Sequence, residues 1–152
     1  MSAAAPAPVV ARLSEEGKRY WDHLVGECKR QAQAINKVVS EHGFDPGDFI
    51  EYRPGPGLHL VKPQCPSTTV KLTINYCSWG PMIDAVITGY EEEDLQFCPE
   101  ELTIPIARDL DGGVVAIFEE GRSFSPSELA TFFMQNFRRC FPGLSLPCEQ
   151  VA

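Results

Sequence analysis

The stretch Thr69-Val70-Lys71-Leu72-Thr73-Ile74-Asn75-Tyr76 decides the fold. Val70, Leu72, Ile74 and Tyr76 alternate with Thr69, Lys71, Thr73 and Asn75, so a strand here carries an apolar row on one face and a polar row on the other. Next comes Ser78-Trp79-Gly80-Pro81, a turn, after which Met82 to Tyr90 returns as a more apolar strand through Ile83, Ala85, Val86 and Ile87. Two strands about a tight turn predict a hairpin. The acidic run Glu91 to Asp94 closes it, and Leu95-Gln96-Phe97 adds a short segment.

Toward the C-terminus, Leu102 to Leu110 and Val114 to Phe118 predict a second hairpin across Asp111-Gly112-Gly113, residues that tolerate the positive φ of such turns. Pro105 falls inside its first strand and has no N–H for the ladder, which argues for a sheet edge or a bulge. Ser125-Pro126-Ser127-Glu128 is a capping box with proline at the first helical position, so a helix runs from there to about Arg139. Leu129, Phe132, Phe133 and Phe137 then face the core, and Pro142-Gly143 ends the helix.

Toward the N-terminus, short strands fit Phe49 to Tyr52 and Leu58 to Lys62, separated by the connector Arg53-Pro54-Gly55-Pro56-Gly57. Before them, Trp21, Leu24, Val25, Cys28, Ala32, Ile35, Val38 and Val39 recur at three- and four-residue steps, the mark of a long helix with one buried stripe. Ser14 suits its N-cap, Glu15 and Glu16 its first turn, and Gly43 its stop.

The expected fold is α+β: an antiparallel sheet of about four to six strands packed by a long N-terminal helix and a C-terminal helix. Counting every short segment raises the strand number to seven. That order of elements resembles a pleckstrin-homology-like fold, in which two near-orthogonal sheets are capped by a C-terminal helix; the resemblance is an alternative architecture and carries no ligand or binding residues. Residues 1–11 read as a disordered lead of small residues and prolines, 12–143 as a single domain, and 144–152 as a tail.

At 152 residues and 43% hydrophobic composition, the chain suits one globular domain. Its formal net charge is -8. From Asp84 to Glu120 there are 11 acids against one base, Arg108, giving -10, whereas Arg12 to His42 holds six bases and five acids, giving +1. Phosphate-backbone binding needs clustered Lys and Arg, so no nucleic-acid partner is expected. No stretch of 18 consecutive apolar residues occurs and the start lacks a signal-peptide pattern, so a cytoplasmic protein without a membrane span is expected. Reduced thiols follow for the six cysteines, whose spacing includes no CxxC pair.

Candidate chemistry is sparse. Asp109, Asp111 and Glu120 partly match a calcium loop, but Val114 stands where that loop needs glycine and the intervening residues read as strand. Gly121-Arg122-Ser123-Phe124-Ser125 lacks the second glycine of a serine elbow. His23, His42 and His59 each invite pairing with a cysteine, yet each has a structural explanation in its helix or strand. Asp84, in an apolar strand, is either a general base raised by burial or an acid on the wet side of the sheet. Trp79 at a hairpin tip is the first candidate for recognition, with Arg53 and Arg108 as anion or carboxylate partners. No phosphate loop, dinucleotide fingerprint or HExxH motif occurs, and no cofactor or metal is implied. The sequence therefore points to a non-catalytic binding or assembly module, with a homo-oligomer or a protein as partner. The alternative is a small-molecule enzyme or carrier with a pocket between sheet and helices.

Overall fold

A computed structural model describes residues 6–44, 49–63, 68–78, 80–91, 96–118, 120–138 and 140–141, with side chains except those of 6–14, 90–99 and 138. Helix α1 spans Pro6–Glu41, α2 spans Pro126–Arg138, and among the described residues seven strands lie between them: β1 (Glu51–Arg53), β2 (Leu58–Lys62), β3 (Thr68–Cys77), β4 (Gly80–Glu91), β5 (Gln96–Arg108), β6 (Val114–Ile117) and β7 (Ser123–Phe124). The strands pair antiparallel in sequence order from β1 to β7. Both helices share one core with alternate residues of the strands, so they cover a single face. This is the expected α+β layering with one more strand than the upper count, and β5 carries the pairing from β1–β4 on to β6 and β7.

Local chemistry explains most boundaries. In α1 the buried stripe Leu24, Cys28, Ala32, Ile35 and Val39 follows the helical period, with Trp21, Val25 and Val38 packed beside it. Gly43 takes φ 82° just past the helix, and the amide of Phe44 reaches back to the carbonyl of Val39, which ends the helix as expected. The other end differs from expectation. The helix begins at Pro6, upstream of the Ser14 cap, because proline suits the first helical turn and Ala7 and Ala11 are strong helix formers.

Helix α2 starts where the capping box puts it: the Glu128 amide donates to Ser125 Oγ at 3.2 Å, and the Ser125 amide donates to Glu128 Oε1 at 3.0 Å. Leu129, Ala130, Phe133, Met134 and Phe137 are buried. Phe132 joins Phe118 and Phe124 in an aromatic cluster with ring centroids 4.7 to 6.1 Å apart. Asn136 donates to the carbonyls of Thr69 and Thr88, tying α2 to the β3–β4 pair.

Between the helices, Gln31 is buried and its Nε2 donates to Thr131 Oγ1 at 3.1 Å, while the Thr131 hydroxyl donates to the Ser127 carbonyl. Gln31 Oε1 is buried with no partner among the described residues. Tyr20 extends the α1 stripe and donates its hydroxyl to the Phe124 carbonyl at 2.8 Å. Gly17 permits the close crossing of α1 over β4, since a Cβ there would collide with the Pro81 ring.

Val70, Leu72, Ile83, Ala85, Ile104 and Ile106 form the sheet's contribution to the core. Tyr76 continues that apolar row but is half-exposed. Pro105 is not on an edge strand. It forms the last pair of β5 with β4, opposite Met82, and Ile106 opens the pairing with β6, so the missing N–H falls where the ladder passes from one neighbour to the other.

Candidate functional site: the open face of the sheet

The register of the first five strands builds a row across the face turned away from the helices. Arg53 lies opposite His59, His59 opposite Lys71, Lys71 opposite Val86, and Val86 opposite Glu101. With neighbouring strands about 4.8 Å apart, the row is about 19 Å long, cationic at one end and anionic at the other. One step along the strands, Asp84 sits between Thr73 and Thr103. On the other side, Thr69 lies between Val61 and Thr88. Val61 is buried, and Thr69, Thr73, Met82, Val86 and Thr88 are half-buried, so the charges border a patch of short and apolar side chains.

The charges differ in how they are held. Arg53 reaches Glu51, two residues back on its own strand, at 3.3 Å. Burial and the nearby Lys71 and Arg53 cations push the His59 imidazole below its ordinary value, which keeps the ring neutral at pH 7. Asp84 accepts hydrogen bonds from Asn75 Nδ2 and from Thr103 Oγ1, the latter at 3.3 Å. Among the described residues, Lys71, Asp84 and Glu101 have no ion-pair partner.

Two of the residues singled out from sequence, Arg53 and Asp84, thus meet on one face. Asp84 takes the wet-side position, clear of the helices. Arg108 goes to the opposite face, where it pairs with Glu16 of α1 at 2.6 Å and fastens β5 to the helix. Trp79 lies outside the described residues. His59, which the sequence raises only as a cysteine partner, completes the site with Lys71, Val86 and Glu101, and what joins them is strand register. The only local signal was the place of Lys71 in the polar row of β3.

The other candidate groups have structural settings. Asp109 Oδ1 accepts the amides of Asp111 and Gly113 at 3.0 and 2.8 Å, so it shapes the β5–β6 turn. Cys28 is fully buried, and burial pushes its thiol up to about 12. Cys140 is partly buried and donates to Thr68 Oγ1, with burial again raising the thiol. Cys77 is exposed at the end of β3, its Sγ 3.4 Å from Met82 Sδ. His42 Nδ1 contacts the Val38 carbonyl at the end of α1. Among the described residues no three of His, Cys, Asp and Glu cluster as a metal site would require. No helix among them is long and apolar enough to cross a membrane.

One depression lies on the helix side, about 430 Å³ in volume and lined by Glu16, Arg19, Tyr20, His23, Val114 and Pro126. A second, about 240 Å³, lies between α1 and the β1–β2 edge. Neither is lined by Asp84 or by a cysteine.

Comparison with known proteins returned no matching family model, no matching curated protein and no matching solved structure.

Proposed function

We propose that the chain is a non-catalytic binding or assembly module that engages a protein partner through the open face of its sheet. The observation that carries this reading is the charged row from Arg53 to Glu101 around half-buried Val86, a polar rim about an apolar centre of the kind protein interfaces use. Asp84 lies on this face, Cys28 in the core and Cys140 beyond the end of α2, so these three do not share a site. The test places a photo-crosslinking amino acid at Thr73 on the open face and, separately, at Lys37 on the exposed side of α1, in cells. Protein adducts concentrated at Thr73 support the reading, and equal labelling at both positions refutes it.

One observation favours a small-molecule carrier as a second reading. Glu16 Oε2 is buried without a partner at the 430 Å³ depression, leaving an acceptor for an ammonium or guanidinium group. A thermal-shift series of small amines and guanidines tests it, and an unchanged melting temperature throughout ends it.

A further inference from the structure

We infer that the partner on the open face is a second copy of this chain, related by a two-fold axis that runs along the strands between β3 and β4. This rests on the reading of that face as an interaction surface, and goes further by naming what covers it. A two-fold contact must be self-complementary, since each patch meets its own copy. The row is built that way, with Arg53, His59 and Lys71 on one side of the β3–β4 boundary and Glu101 on the other, where Asp84 also lies. Turning the sheet over about that axis lays β3 on the second copy's β4, and β2 on its β5. Lys71 then faces the second copy's Val86 beside Asp84, and His59 faces Glu101. Each of these contacts occurs twice.

The same rotation sets Thr73 against Asp84 and Thr69 against Thr88, with Val86 between them, so the half-buried centre of each face packs on the other. Two twisted sheets stack in this aligned fashion about 10 Å apart. A two-fold axis across the strands would lay β3 on β3 and set cations against cations instead. The four overlapping strands, β2 to β5, at about 4.8 Å spacing and about 20 Å of strand length offer roughly 400 Å² per copy, or roughly 800 Å² in all. That area is below the standard size of a specific interface and predicts a weak, reversible dimer.

Sedimentation equilibrium of the full chain over a wide concentration series tests this. The wild type should fit a monomer–dimer equilibrium. Lys71→Glu, which sets an acid beside Asp84, and Glu101→Lys, which sets a cation between Arg53 and Lys71, should each raise the dissociation constant about tenfold or more. An equimolar mixture of the two variants should recover part of the association, because positions 71 and 101 are diagonal neighbours across the interface and carry opposite charges on both sides of the mixed dimer. Lys37→Glu, which makes the same charge change on α1, should leave the constant unaltered. Far-UV circular dichroism confirms that each exposed substitution folds, and the wild-type series stands without any variant. A wild type monomeric at all concentrations, a dimer indifferent to both substitutions, or a mixture that fails to recover would each overturn the inference. Crosslinking from Thr73 separates the two levels: adducts with other proteins beside a monomeric wild type sink only the second-copy assignment, whereas their absence beside a monomer sinks the interaction surface as well.

Discussion

Replacing Gln31 by methionine should make the protein more stable. Gln31 is 4% exposed between α1 and α2, with one hydrogen bond to Thr131 and a buried Oε1 that lacks a partner. Losing the one bond costs about 1 kcal/mol net, whereas removing the unpaired buried carbonyl returns about 1 to 3 kcal/mol. Thr131 is not orphaned, because its hydroxyl still donates to the Ser127 carbonyl. The balance is a gain of about 1 kcal/mol, which for a chain of this size raises the melting temperature by roughly 2 to 4 °C. Thr131→Val is the opposite case. It strands the Gln31 amide donors as well as its carbonyl and should cost about 1 to 3 kcal/mol. The double variant, with neither polar group left, should return to wild-type stability or above. Urea unfolding followed by Trp21 fluorescence and far-UV circular dichroism gives all four corners of the cycle. A harmless Thr131→Val together with a destabilising Gln31→Met would refute the reasoning, since Gln31 would then be satisfied by something other than Thr131.

Two glycines of α1 should respond in opposite directions. Gly17→Ala forces a methyl into the Pro81 ring and should destabilise by about 1 to 3 kcal/mol, while Gly26→Ala, with open space around it, should stabilise by about 0.5 to 1 kcal/mol; thermal melts of the pair compare them directly. Stability should also fall above pH 9. The unfolded Cys28 thiol ionises from its ordinary value near 9, whereas burial holds the folded thiol protonated to about 12. Protons are thus lost first from the unfolded state, and this one group removes about 1.4 kcal/mol per pH unit across that window. Burial of Tyr20 acts in the same direction at still higher pH. Urea titrations at pH 8 and pH 10.5 should show a shallower loss in Cys28→Ala, and equal losses in both proteins would remove Cys28 as a contributor.

The features legible in sequence are those written in neighbouring residues. Ser125-Pro126-Ser127-Glu128 specifies the start of α2 because both halves of the capping box are three residues apart. Leu24 to Val39 reveals α1 because a helical stripe repeats locally, and Gly43 ends it through bonds to the preceding turn. The alternation from Thr69 to Tyr76 gives both the strand and its wet face. Long-range pairing is another matter. Nothing near Arg53 announces that it will stand two strands from Lys71, and Arg108 meets a glutamate 92 residues away. The row across the open face exists only once five strands have chosen a register, so its members look like scattered surface charges along the chain. Pro105 misled for a related reason: proline forbids a ladder bond at one residue, and a strand can change neighbours at that residue without being an edge.

The sequential strand order also has a kinetic side. Every pairing from β1 to β7 joins segments adjacent in the chain, so the sheet can grow hairpin by hairpin with little loop-closure entropy at each step. The contacts of α1 with α2 are different in kind, for Gln31 and Thr131 are separated by 100 residues. Until those helices meet, the sheet has no cover for Leu72, Ile83 and Ile104, and a meander of hairpins is held by little more than its own ladders. Docking of the two helices is therefore the step that makes unfolding all-or-none: it acts as a clasp across the whole sheet, and loosening it should let the strands exchange and fray separately.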